Sequence, residues 1–256
     1  MLDLNARQEI EALRVVAPIK TWSLLVTVFG DLQATSEQPL SGAFLNGLFR
    51  EMGIKPEALR VALHRLAKDG WITSKKTGRT SVYFLAEKGV QETNSVQQRV
   101  YTPFPDGLSD WACVLVNGSG PAAEVPLVQL GPDVFAVPRA YLLAIPDAVT
   151  MDFAMQAAPP WIDEKCLSPE LRQALARLQD ALRQLDIGRI GASTKVRLPL
   201  RMLTLHHWRR LALRDGFWFH HHLVPGGAPR QCQTAVLDLL NALPIREDDR
   251  ALFEDL

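Results

Sequence analysis

Between Pro56 and Asp69 the small and apolar residues fall at Ala58, Leu59, Ala62, Leu63, Leu66 and Ala67, a spacing that a helix turns into one continuous stripe. Pro56 suits the first helical position, where the N–H it lacks would be unpaired anyway, and Gly70 suits the stop. The opposite face carries Arg60, His64 and Lys68 in one row, with Val61 and Arg65 beside it. One side of this helix is built to pack and the other to stay in water with a positive charge. The preceding text supplies something to pack against. Gly42 to Met52, opened by Ser41 as a cap, sets Phe44, Leu45, Leu48 and Phe49 on one helical face. Lys20 to Phe29 is nearly all apolar and could be a buried helix or a buried strand; its context favours helix.

Two short extended segments follow, Trp71 to Lys76 and Arg79 to Leu85, rich in strand formers and joined across Thr77-Gly78. Their tip holds Lys75, Lys76, Arg79, Thr80 and Ser81, side chains of the kind that bind phosphate oxygens. From Arg50 to Thr80 there are eight basic residues against three acids, so a chain of zero net charge carries +5 in this window and −5 elsewhere. Three helices and then a hairpin is the winged helix-turn-helix order. A helix about 10–12 Å across fits a major groove about 12 Å wide. Arg60 and Arg65 could meet guanine edges or phosphates, His64 a base acceptor, and Lys68 the backbone, while Lys75, Lys76, Arg79, Thr80 and Ser81 follow an adjacent phosphate run. The competing reading is a solvated basic face in a winged domain that binds protein.

The rest of the chain is mixed. Residues 1 to about 17 have helical character and end at Pro18, Ala86 to Tyr101 reads as a polar linker helix, and residues 102–107 mark a boundary. Trp111 to Val116, Val134 to Val137 and Tyr141 to Ile145 read as strands, and Leu127 to Leu130 is ambiguous. Helices are expected from Leu171 to Leu185, Leu198 to Leu213 and Cys232 to Leu243. With 256 residues this is an α+β chain, expected to divide at 1–100, 101–200 and 201–256. No run reaches the roughly 18 apolar residues of a membrane helix. Three scattered cysteines (Cys113, Cys166, Cys232) and an acid-bearing N-terminus without an apolar core predict a cytoplasmic protein.

His206, His207, His220, His221 and His222, with Cys232, raise a metal site, but adjacent residues rarely share one tetrahedral ion, so no metal and no cofactor is expected. No phosphate-cradling loop or nucleophile motif is present, and no catalytic residue is predicted.

The text Phe29-Gly30-Asp31, Gly53-Ile54, Leu59-Arg60-Val61-Ala62-Leu63-His64-Arg65-Leu66, Asp69-Gly70-Trp71-Ile72 and Gly78-Arg79-Thr80-Ser81-Val82-Tyr83 resembles the PaaX-type family, the phenylacetic-acid degradation repressors. Arg99-Val100-Tyr101, Trp111, Val134-Phe135-Ala136-Val137-Pro138 and His206-His207-Trp208-Arg209-Arg210 extend the likeness. The resemblance implies a winged helix-turn-helix domain, a central ferredoxin-like (Cas2-like) domain and a small helical C-terminal domain. It also implies a homodimeric repressor on a double-stranded DNA operator of aromatic catabolism, released by a small-molecule effector such as an aryl-CoA thioester. Arg201, His206, Arg209 and Arg210 become candidate effector contacts, as a cationic lining for its phosphates. The alternative is a metal-dependent Cas2-like nuclease with a winged DNA-positioning domain. It would need a carboxylate where the first central strand ends, and Val116 is followed by Asn117-Gly118. Two departures stand out: Asp215-Gly216 replaces the family's usual Asp-Pro, and Gly118 to Pro126 is short and rich in Gly and Pro where a helix is expected.

Overall fold

The computed structural model describes residues 4–33, 38–78, 80–103, 111–118, 127–152, 159, 161–186, 194–214, 216–217, 220–221, 224 and 226–254. The chain is a mixed α+β protein with two antiparallel sheets. It forms two compact units, one of residues 1–102, 177–210 and 234–256, the other of residues 103–176 and 211–233. Residues 201–210 and 234–256 fall in the first unit and residues 211–233 in the second.

The first unit begins with α1 (Leu4–Arg14) and α2 (Thr21–Gln33). The apolar run from Lys20 is a helix, and every residue from Ser23 to Leu32 is buried. A two-residue strand β1 (Leu40–Ser41) leads into α3 (Gly42–Glu51), whose first turn is capped by Ser41 Oγ accepting from Phe44 N at 3.0 Å. The next helix, α4 (Pro56–Lys68), starts on its proline and ends at Gly70, where φ of +73° needs a residue without a side chain. It buries Leu59, Ala62, Leu63 and Leu66 against α2 and α3, whereas Ala58 and Ala67, at the margins of the expected stripe, are exposed. Strands β2 (Ile72–Thr77) and β3 (Thr80–Leu85) pair antiparallel, with β1 on the other side of β3, and α5 (Glu87–Tyr101) follows.

What closes this unit comes from much later in the chain. The helix α8 (Thr194–Ala212), third after the two in the second half described below, is buried along nearly its whole length. It carries arginines, histidines and a threonine into the core, and several of these polar groups find partners there. Trp208 Nε1 donates to Val100 O at 2.8 Å, His207 Nε2 lies 2.9 Å from Leu13 O, and Arg209 Nη2 donates to Ser23 O and Oγ at 3.2 and 3.1 Å. Arg201 is held by Asp31 of α2, described with the interface below. After α9 (Ala228–Ala242) two short 3-10 turns, Glu247–Asp249 and Ala251–Phe253, return to α3. Phe253 meets Phe44 edge to face at 6.0 Å, and Glu254 Oε1 accepts from Ser41 Oγ at 2.7 Å. A Cβ on Gly47 would collide with the Phe253 carbonyl, a backbone atom that cannot swing aside. Gly47→Ala is therefore expected to destabilise this unit by about 1–3 kcal/mol, read as a lower urea midpoint.

The second unit holds a four-stranded sheet, β4 (Trp111–Leu115), β5 (Val128–Gln129), β6 (Val134–Pro138) and β7 (Val149–Asp152), in the order β5-β6-β4-β7 with all pairs antiparallel. Val114, Phe135 and Val137 pack from one face onto Val116 and Ile145. The strand expected over Tyr141 to Ile145 is instead a 3-10 helix, Arg139–Ala144. Leu142 and Ile145 reach the core while Leu143 is 98% exposed, a three-residue rhythm that strand alternation cannot provide. The fourth strand is supplied by Val149–Asp152, which sequence reading passed over because all four residues are exposed and show no alternation. Two helices follow, α6 (Trp161–Cys166) and α7 (Pro169–Arg183). A Cβ on Gly216 would strike the Cys166 carbonyl, so glycine is required there by close approach. Ser119 to Pro126, Asp215, Trp218, Phe219 and His222 lie outside the described residues, as does most of the 102–107 boundary.

Candidate nucleic-acid interface

The unburied face of α4 carries Glu57, Arg60, Val61, His64, Arg65 and Lys68, all exposed. Successive residues turn by about 100°, so Glu57, Val61, His64 and Lys68 stand within about 30° of the line opposite the buried stripe, and Arg60 and Arg65 about 70° to either side. The helix thus has a crest of four residues with an arginine on each flank. Arg60, in the same i, i+4 row as His64 and Lys68, therefore stands on the flank of the crest.

The flanks differ. Arg65 stacks its guanidinium over the Trp22 ring of α2 at 4.8 Å and lies 3.6 Å from Asp69. Both ends of that ion pair are exposed, so its worth is orientation more than stability. Arg60 and His64 instead border a groove of about 670 Å3 between α4, the first turns of α3 and the hairpin, bordered also by Glu57, Asn46, Ser74 and Tyr83. Asn46, Ser74 and Tyr83 were not expected; only their spacing to a neighbouring element brings them here.

On the hairpin, Lys75 pairs with Val82 and Lys76 with Ser81. Alternation along a strand puts Ser74, Lys76, Ser81 and Tyr83 on one face and Lys75, Thr80 and Val82 on the other. Lys76 and Ser81 therefore continue the groove side, whereas Lys75 and Thr80 point away from it. Lys75, Lys76 and Thr80 are exposed and Ser81 is half-buried. Arg79 lies outside the described residues.

The residues assigned to an effector are placed elsewhere, on α8. Arg201 Nε and Nη2 donate to the two oxygens of Asp31 at 2.6 and 3.0 Å, and Nη1 to Leu240 O and Leu243 O at 2.8 and 3.0 Å. Tyr101 OH donates to Asp31 Oδ1 at 3.0 Å, and burial, reinforced by the Asp31 charge and hydrogen bond, holds that phenol protonated far above its ordinary range. His206 Nδ1 is 3.5 Å from Thr27 Oγ1, and Arg210 Nη1 donates to Pro18 O at 3.2 Å. Arg201 thus commits all three guanidinium nitrogens to Asp31 and two carbonyls, whereas His206 Nε2 and Arg209 Nε are buried without a hydrogen-bond partner; Arg210 is the exposed one of the four. Among the described residues no group of three or more His, Cys, Asp or Glu could hold a metal ion, and no helix is long and apolar enough to cross a membrane.

With that geometry in view, residues 20–89, from the start of α2 to the start of α5, match the model of the family described as PaaX-like protein. Over 104 residues the chain is 30% identical to the transcriptional repressor PaaX of Escherichia coli. The match takes in 40% of this chain and spans about a third (32%) of that repressor. An uncharacterised protein from Mycobacterium tuberculosis aligns in structure over 90% of this chain and 97% of its own, with 16% identity and a TM-score of 0.49.

Proposed function

We propose that the chain is a DNA-binding transcriptional repressor whose PaaX-like segment is a winged helix-turn-helix. In this reading α3 and α4 are the helix pair, α4 enters the major groove, and the β2–β3 hairpin is the wing. One observation carries it: an exposed, largely cationic face on α4 borders a groove whose far side, at Ser74 and Tyr83, is the hairpin face that also carries Lys76 and Ser81. The name of the Escherichia coli relative points the same way.

Arg60, His64, Arg65 and Lys68 on α4 and Lys75, Lys76, Arg79, Thr80 and Ser81 on the hairpin form the DNA surface, with the flanking arginines on the phosphate walls and the crest toward the bases. Arg60→Ala is expected to weaken operator binding by about 1–3 kcal/mol. Lys76→Ala weakens all duplexes alike and lowers the salt dependence by about one counterion, while Lys75→Ala, on the far face of the hairpin, does less. The measurement is a titration of operator and unrelated duplex by the full chain and each variant at several salt concentrations. Parental binding by both Arg60→Ala and Lys76→Ala would overturn the reading.

The finer picture has a homodimer placing two copies of α4 in successive major grooves, working in the cytoplasm on genes of aromatic catabolism. The sheet order β5-β6-β4-β7, second-third-first-fourth within the unit and wholly antiparallel, supports a ferredoxin-like middle. An aryl-CoA effector releases the DNA by binding the non-competent arrangement better. In this picture Arg201, with its donors taken up by Asp31 and two carbonyls, holds α8 against α2, and His206, Arg209 and Arg210 remain the candidate effector contacts on that helix.

A further inference from the structure

We propose that Val61 reads the 5-methyl group of a thymine in the major groove, which makes it a specificity-determining residue of the interface; the proposal rests on the DNA-binding reading above. Val61 is 66% exposed, in the middle of the α4 crest, with Glu57 and His64 one turn to either side and arginines on both flanks. Nothing in folding asks for valine there. A branched side chain at an exposed helical position is a poorer choice for the helix than alanine, lysine or glutamine. Nor does phosphate attraction ask for it, since an uncharged residue at the centre of a cationic face releases no counterion.

What remains is the base edge. Crest residues are those that reach the floor of a groove, and flank residues meet its walls. The floor of the major groove offers one apolar group, the thymine methyl, and apolar side chains are the ones that recognise it. From Glu57 to His64 the helix rises about 10.5 Å, close to three base-pair steps. Val61 sits inside that window, so the thymine it meets lies among the few base pairs that α4 faces.

The test uses the duplex that the full chain itself selects from a randomised library. Each thymine of that site is replaced in turn by uracil, which removes the methyl and leaves every hydrogen-bonding group in place. The parent chain, Val61→Ala and Val61→Thr are titrated against each duplex; alanine at an exposed helical site folds at least as well as valine. At one thymine, or a symmetric pair, uracil is expected to weaken the parent about three- to five-fold. The same uracil leaves Val61→Ala unchanged, and Val61→Thr, which keeps one methyl, falls between. A parent indifferent to every uracil, or a Val61→Ala chain as sensitive as the parent, overturns the assignment while leaving DNA binding intact. Failure to select or retard any duplex would instead bring down the DNA-binding reading, and this proposal with it.

Discussion

Asp31→Ala is expected to cost the first unit about 3–5 kcal/mol, enough to unfold a marginal protein. Asp31 is the lone acid in a helix otherwise buried and apolar, and the Arg201 guanidinium it holds is only 11% exposed. Removing the carboxylate leaves a buried cation without its counter-ion and the Tyr101 hydroxyl without its acceptor. The two remaining bonds to Leu240 O and Leu243 O cannot replace a bidentate charge pair. Because the penalty comes from the orphaned charge, removing both partners should be far milder. Asp31→Leu combined with Arg201→Met is expected to recover most of the loss. Urea midpoints of the parent, the single variant and the double variant decide the matter. A single variant as stable as the parent would mean that the pair contributes nothing. A double variant as weak as the single would mean that the loss is one of shape and not of charge.

The second large effect is an acid limb. Burial, then the positive surroundings of His207, Arg209 and Arg210, push His206 down to about 3; burial also takes His207 down to about 4, against the hydrogen bond to Leu13. Both folded values lie below the ordinary histidine value of 6.5, so between pH 6.5 and about 3 the unfolded chain binds protons that the folded chain refuses. Stability from this pair is complete above pH 6.5 and drains away as the pH falls toward the folded values. The expected loss by pH 4 is on the order of 3 kcal/mol for each histidine, from about 1.4 kcal/mol per shifted unit. Circular dichroism melts from pH 7.5 to pH 4 should show the midpoint dropping steeply below pH 6.5. His206→Gln with His207→Gln, which cannot titrate, should flatten that slope even if the starting stability is lower. A slope unchanged in the double variant would place the acid sensitivity elsewhere.

Which features could be read from sequence follows from how local their causes are. The end of α4 at Gly70, the hairpin around Gly78 and the cap at Ser41 each depend on residues within a few positions, and each stood out. Lys20 to Phe29 could not be settled by periodicity, because a helix buried on every side and a buried strand are both unbroken apolar text. Asp31 was a visible signal, since an acid in such a run needs a partner. Its partner lies 170 residues away, and no local pattern names it. The arginines of α8 admit two readings from sequence for a related reason. A cation in an apolar segment looks the same whether it is kept for a ligand or already bound to a carboxylate of the same fold. The face of α4 was more legible, because its buried stripe and its charged side belong to one helix; Asn46, Ser74 and Tyr83 are brought beside it by tertiary structure.

Consider the molecule while it is being made. The surfaces of α2 and α5 that receive α8 are finished early, but α8 and the turns that reach α3 emerge only when the ribosome has added roughly another 100 to 150 residues. At ordinary elongation rates that leaves those apolar faces uncovered for roughly five to thirty seconds. The first unit cannot mature ahead of the rest, and the nascent chain must be kept from clumping until its later half arrives.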